Sequence, residues 1–240
     1  MKSIYTLTTI VFLFFASQVS CLAQKKVKGN GNIITKTVLT QNYQSIQVVG
    51  FMDVYLEPGK EGVITVSTDE NLQPYIKVEV NSGALTIAIK KGVNLRTKKG
   101  VIVKVPVEEI SEISLVGSGD IISDNKISTQ QMEVSLTGSG DITLAVQAQQ
   151  TDVKIVGSGD VKLSGSTGNL EVKLSGSGDF NGYSLLSQDT EAYVSGSGDV
   201  KVSALKSLKA RVNGSGDIAY KGNPEILSTK IIGSGDITGH

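Results

Sequence analysis

The sequence predicts an all-β fold, a single-stranded parallel β-helix with an irregular N-terminal β region, on three observations. The tetrapeptide Gly-Ser-Gly-Asp occurs seven times, beginning at Gly117, Gly138, Gly157, Gly176, Gly196, Gly214 and Gly233. Successive copies lie 21, 19, 19, 20, 18 and 19 residues apart, which is the near-fixed period of a stacked repeat. The composition agrees: with no Trp, 5% aromatic residues and 27 glycines, the core must be assembled from small aliphatic side chains and turns.

Residues 1–23 are set apart from the fold. Lys2 precedes an uncharged apolar run, Ile4 to Ala16, and Cys21-Leu22-Ala23 offers small residues at the −3 and −1 positions of a cleavage site. That is the pattern of a secretory signal peptide, and the run is shorter than the roughly 20 residues that span a bilayer. Cys21 also allows a rival reading, a lipid-modified cysteine that tethers the chain to a membrane. Gln18 stands where a lipobox wants an aliphatic residue. Cleavage after Ala23 would leave no cysteine, and with it no disulfide or thiolate chemistry. The chain is expected to be exported, to the periplasm, the outer-membrane surface or the medium.

Residues 24–110 are expected to form an irregular β region that caps the start of the array, since repeat arrays need atypical ends. Gly29-Asn30-Gly31-Asn32-Ile33 reads as a degenerate tetrad, as does Gly50-Phe51-Met52-Asp53-Val54. Phe51 with Met52 could form an exposed apolar knob. Val63–Ser67, Ile76–Val80, Leu85–Lys90 and Val101–Val107 read as strands. Asn81-Ser82-Gly83 reads as a hairpin turn and Asn94–Gly100 as a basic loop.

Residues 111–240 carry the repeat. Two residues before each tetrad stand Leu115, Leu136, Ile155, Leu174, Val194, Val212 and Ile231, and the residue after each Asp is again apolar, from Ile121 to Ile237. Between the core positions lie Ser114, Ser135, Lys154, Lys173, Tyr193, Arg211 and Lys230, all able to face water. This period-two alternation gives strand, tight turn, strand in each repeat. Glycine supplies the positive φ that a sharp corner needs, and Asp can accept a hydrogen bond from a turn amide. Coils of about 19 residues, each strand pairing with its equivalent one coil away, account for the spacing; a meander of antiparallel hairpins is the alternative.

On the seven tetrads, the early Gly29-Asn30-Gly31-Asn32-Ile33 and the run Ser45-Ile46-Gln47-Val48-Val49-Gly50 before Asp53-Val54, the chain resembles the autotransporter-adhesin head GIN domain family of Bacteroidetes-type bacteria. The resemblance implies a β-helix akin to the pectin-lyase architecture, hence right-handed, a surface or adhesive function, and no recognised catalytic residues.

The chemistry on offer is sparse. The tetrad carboxylates Asp120, Asp141, Asp160, Asp179, Asp199, Asp217 and Asp236 would stack about 4.8 Å apart, and like charges at that distance repel by about 1 kcal/mol in water. Turn amides, outward lysines such as Lys162 and Lys201, or a bound cation must offset that. The ladder reads first as structural turns, with a cation site or a polar binding stripe as alternatives. No catalytic, cofactor-binding or metal-binding residue is assigned. A polysaccharide-binding or polysaccharide-degrading β-helix is the alternative, since paired carboxylates can hydrolyse glycosides, with Arg96, Lys98 and Lys99 as the cations nearest in kind to a charged intermediate. But the Asp residues sit in one repeated environment, and the single histidine, His240, is the last residue. The chain carries 23 basic and 23 acidic residues, a balance that steers toward neither nucleic acid nor an anionic membrane. A non-enzymatic surface scaffold or adhesin-like module is expected, with a cell-surface glycan or protein as partner. Tyr193 and Tyr220 are candidates to stack on sugar rings. After the seventh Asp only Ile237 to His240 remain, so the strand edge there is expected to pair with a second copy.

Overall fold

The computed structural model describes residues 24–240; the leader expected over 1–23, Cys21 included, lies outside the described residues. Almost every element is a strand. In chain order these are β1 (Lys25–Lys28), β2 (Ile33–Leu39), β3 (Ser45–Gly50), β4 (Asp53–Pro58) and β5 (Val63–Asp69), then a single 3₁₀ turn at Gln73–Tyr75. β6 (Ile76–Asn81), β7 (Ala84–Ile89), β8 (Val93–Arg96), β9 (Ile102–Val107) and β10 (Glu112–Gly117) follow. The array comprises β11 (Ile121–Ser128), β12 (Gln131–Gly138), β13 (Ile142–Gly157), β14 (Val161–Gly176), β15 (Phe180–Gly196), β16 (Val200–Gly214), β17 (Ile218–Lys221), β18 (Ile226–Gly233) and β19 (Ile237–Gly239). Among the described residues no helix is long and apolar enough to cross a membrane.

The strands stack as coils in parallel, which settles the choice against antiparallel hairpins. Leu115 pairs with Leu136, Leu136 with Ile155, Ile155 with Leu174, then Val194, Val212 and Ile231 in turn. The first six of these are buried, with at most 3% exposure. A buried aliphatic side chain contributes roughly 1.5–3 kcal/mol, so the continuous inner ladder carries most of the stability. No single coil could bury it alone.

The stack crosses residue 110 without interruption, because β10 pairs with β3, Leu115 against Val48 and Gly117 against Gly50. Gly50–Asp53 is therefore a corner of the stack despite its altered sequence. β7 lies on the far side of β3 and β9 on the far side of β4. The order in space is thus β7/β9, β3/β4, β10/β11, so the two lowest coils run opposite to the chain order. Antiparallel strands close this end: β6 covers β7 through a two-residue turn at Ser82-Gly83, and β5 joins β9 and β2. Both turn residues have positive φ, 50° and 80°, as a tight hairpin with right-handed strand twist requires.

The structure corrects three readings of the sequence. Gly29–Asn32 is not a coil corner; it leads into β2, and Ile33 is 39% exposed. Its Gly and Asn residues serve a different contact, because Gly31 N–H donates to Asp69 Oδ1 (2.6 Å) and Asn30 N–H to Asn71 Oδ1 (2.9 Å). Phe51 and Met52 make no exposed knob. Met52 is fully buried and Phe51 packs against the core, since the Gly119 corner stacks directly on the Met52 backbone. The expected basic loop is also partly a strand: Val93–Arg96 is β8, paired in parallel with β1.

Candidate functional site

Each tetrad corner is built by its neighbours above and below. At the second corner, Ser139 N–H and Gly140 N–H both donate to the Gly117 carbonyl, at 2.9 and 3.2 Å. Ile142 N–H donates to the Asp160 carbonyl of the next coil, at 2.9 Å. That leaves the Asp141 amide, and the Asp120 carboxylate of the preceding coil takes it at 3.1 Å. The link recurs up the stack: Asp160 N–H to Asp141, Asp179 to Asp160, Asp199 to Asp179, Asp217 to Asp199 and Asp236 to Asp217, at 2.8–3.0 Å. From Asp120 to Asp217 each carboxylate therefore caps the corner of the next coil rather than its own, whose Ser and Gly amides already bond to the coil before, whereas Asp236 accepts from the Ile237 amide of its own corner at 2.8 Å. At the foot, Asp53 accepts from the Asp120 amide; burial, then the Asp120 charge, pushes its carboxyl above the usual range.

A shallow groove of about 270 Å³ follows the ladder, where Lys162 and Lys201 stand among Asp141, Asp160, Asp179 and Asp199. Among the described residues no group of three or more His, Cys, Asp and Glu is arranged to hold a metal ion.

The larger feature lies on the strands that precede the corners. Parallel register brings the outward residues into columns running along the stack. One column reads Ser135, Lys154, Lys173, Tyr193, Arg211, Lys230, and the next reads Thr137, Val156, Ser175, Ser195, Asn213, Ile232. Long side chains thus face short ones, and an open groove of about 640 Å³ runs between them. A third column is acidic: Glu112, Glu133, Asp152, Glu171 and Glu191, followed by Lys209 and Ser228. Lys173 pairs with Glu171 at 2.7 Å and Lys209 with Glu191 at 2.9 Å. Tyr193 donates its hydroxyl to Glu191, and Lys209 Nζ sits 5.5 Å from the Tyr193 ring centre.

Those contacts set the protonation states. The Tyr193 hydroxyl, then Lys209, hold the Glu191 carboxyl below its ordinary range. Tyr193 and Glu191 raise Lys209, and Glu171 raises Lys173. Lys154, Arg211 and Lys230 form no ion pair among the described residues, so their charges remain available to a ligand.

The outward row of Lys154, Lys173, Tyr193, Arg211 and Lys230 is where the alternation places it. Tyr220, by contrast, is in register with buried Val202 and packs against the core, so Tyr193 alone stands on the face. Arg96, Lys98 and Lys99 lie at the capped end, away from the ladder groove. His240 is exposed, its amide donating to the Tyr220 carbonyl. The acidic column escaped the sequence reading although its signal was there, for each member stands five residues before a tetrad.

A family model described as "Putative auto-transporter adhesin, head GIN domain" matches residues 42–224. Among solved structures, a "putative adhesin" from Bacteroides fragilis NCTC 9343 is 26% identical, with a TM-score of 0.83, covering 89% of this chain and 100% of its own. A "putative lipid binding protein" from Parabacteroides distasonis ATCC 8503 is 28% identical, TM-score 0.74, covering 90% of this chain and 100% of its own. A "putative adhesin" from Parabacteroides merdae ATCC 43184 shares the fold at 21% identity, TM-score 0.71, over 90% of this chain and 99% of its own. No curated protein matches the sequence.

Proposed function

Because the chain belongs to the auto-transporter adhesin head GIN domain family, we propose that it is an exported, non-enzymatic binding module that takes an acidic glycan along its outward groove. The observation that carries this reading is the column Lys154, Lys173, Tyr193, Arg211, Lys230 beside a column of short side chains. The cations meet carboxylates or sulfates, Tyr193 offers an aromatic face, and Ser175, Ser195 and Asn213 supply hydrogen bonds to hydroxyls. A repeating ligand suits a site that repeats once per coil. The carboxylates argue against hydrolysis: acid and base need environments that push their pKa values apart, whereas the ladder residues share one environment. Asp53 is the exception, and the ladder groove does not reach it.

A glycan array probed with residues 24–240 tests this. Binding to uronic-acid or sulfated glycans is expected, with at least tenfold loss in the variant Arg211→Ala/Lys230→Ala at unchanged Tm. No glycan bound, binding indifferent to the substitutions, or shortened glycan products would each overturn the reading.

A second copy is the other partner this reading includes. Among the described residues β18 pairs only with β16, and it exposes Ile226, Leu227, Ile231 and Ile232. An apolar, one-sided edge of this kind invites another strand.

A further inference from the structure

The balanced net charge conceals a strong local excess at the capped end. Residues 24–52 and 80–107 contain no Asp or Glu. In the lowest coil the corner between β7 and β9 is not a tetrad but an excursion, residues 90–101, whose β8 pairs with β1. This two-stranded ribbon is fixed at both ends, by Lys25 N–H to the Gly92 carbonyl and Gly29 N–H to the Arg96 carbonyl, each 2.8 Å. It and its flanks carry eight cations, Lys25, Lys26, Lys28, Lys90, Lys91, Arg96, Lys98 and Lys99. All eight are exposed, and none forms an ion pair among the described residues.

The arrangement costs free energy in isolation. Val27 and Leu95 turn inward, while Lys28 stands in register with Arg96 across the ribbon. Like charges directly opposite on neighbouring strands destabilise a sheet. Lys98 and Lys99 join them around a hollow of about 270 Å³. The acid facing this hollow, Asp69, is 2% exposed and spends its carboxylate on Gly31 N–H and the Thr97 hydroxyl. Glu70, close by, accepts from Asn32 Nδ2. Lys25 lies against the Tyr75 ring and donates to its hydroxyl at 3.0 Å, which ties β1 to the 3₁₀ turn.

We propose that this basic ribbon docks the capped end of the molecule on an anionic lipid surface. The warrant is charge complementarity: an extended patch of unpaired cations matches a surface of closely spaced phosphates better than it matches one small ion. Juxtamembrane cations of this density bind anionic bilayers, each adding a few-fold to the partition coefficient. In the chain the ribbon begins two residues after the apolar leader, Lys25 following Ala23 and Gln24, so any tether at Cys21 would hold it at the bilayer. Docking at this end leaves the glycan-facing groove, on the coils beyond, open to solvent.

Residues 24–240 suit the test, because a crystallised relative covers 89% of this chain and all of its own. Sedimentation with phosphatidylcholine vesicles, with and without phosphatidylglycerol, should show binding only to the anionic vesicles, weakening as salt rises. The variant Lys28→Glu/Arg96→Glu/Lys98→Glu/Lys99→Glu should bind at least about 100-fold more weakly. The neutral set Lys28→Gln/Arg96→Gln/Lys98→Gln/Lys99→Gln, which keeps the side chains polar and long, provides the same comparison should charge reversal perturb the cap. Lys126→Glu/Lys206→Glu, on the coils, should stay within about twofold of wild type. Equal binding to neutral vesicles, or binding unchanged in both quadruple variants, overturns the proposal. So does saturable binding of inorganic phosphate without vesicle binding, which would make the hollow a small-anion pocket. Loss of glycan binding with vesicle binding intact would fault the groove alone.

Discussion

A β-carbon on Gly157 would lie 2.2 Å from the Gly138 carbonyl oxygen, and the backbone there has φ of +128°. At Gly159 the corresponding distance, to the Gly140 oxygen, is 2.0 Å. Read from the sequence, both glycines of a tetrad are turn residues. In the structure the second is demanded by the coil beneath it, whose backbone fills the space a side chain would need. Gly157→Ala and Gly159→Ala are each expected to cost about 2–4 kcal/mol in urea unfolding. Ser158 points to solvent between them, and Ser158→Ala should change stability by less than about 0.5 kcal/mol; equal effects at the three positions would refute the stacking argument. The Asp ladder allows a finer comparison. Asp160→Ala strips the Asp179 amide of its acceptor and should cost about 1 kcal/mol. Asp160→Asn keeps the acceptor while removing one charge from a column of like charges, so it should match or exceed wild type. If the carboxylates serve only the corners, neither calcium nor EDTA should move Tm by more than about a degree. A saturable calcium-dependent rise, about 2.7 kcal/mol at a hundredfold excess over Kd, would assign metal to the ladder instead.

At the scale of elements, the two ends of the stack are unequal. The capped end is held by Asp69, whose carboxyl lies below its ordinary range because of the Thr97 hydroxyl and then the Gly31 amide. A carboxyl lowered in the fold contributes stability above its unfolded pKa, near 4, and loses it as pH falls through the folded value. The stability difference between wild type and Asp69→Asn should therefore be constant around neutrality and shrink below about pH 4. A difference that grows on acidification would contradict the assigned bonds. At the other end β18 has one neighbour among the described residues, and hydrogen exchange should show Leu227–Ile232 opening well before the equivalent Leu170–Ser175 of β14, which is bonded on both sides. Uniform protection along the array would mean that another strand covers β18. The corners and inner ladders were legible because one requirement recurs at every coil and so recurs in the sequence. The inverted order of β3/β4 and β7/β9 was not, since alternation tells a strand which face to bury and says nothing of which neighbour it meets. Gly29–Asn32 misled for a related reason: glycine and asparagine at Gly31 and Asn30 serve a local contact with Asp69 and Asn71 as well as they would serve a corner.

Across the whole molecule, what matters is which surfaces remain unpartnered. The groove row was legible residue by residue, Lys154 to Lys230, yet the groove itself exists only once register sets long side chains beside short ones. The basic ribbon was hidden by counting charge over the entire chain. The edge at β18 and β19 yields a prediction of assembly. Light scattering should show a mass above that of one chain, and Ile232→Lys/Ile237→Lys should return it to the monomer while the protein stays folded. A folded double variant with the wild-type mass would remove that edge as the interface. The inverted order of the lowest coils bears on how the molecule would respond to a pull. Tension entering at β18 loads hydrogen bonds one pair after another, so coils would peel away in succession at low force. Tension entering from β1 and β2 reaches β3 and β4 while parallel neighbours grip them on both sides, and many bonds must then yield together in shear. A binding protein fastened at its capped end and tugged by its ligand would therefore be strained from its weaker side first, shedding outer coils while the anchor holds.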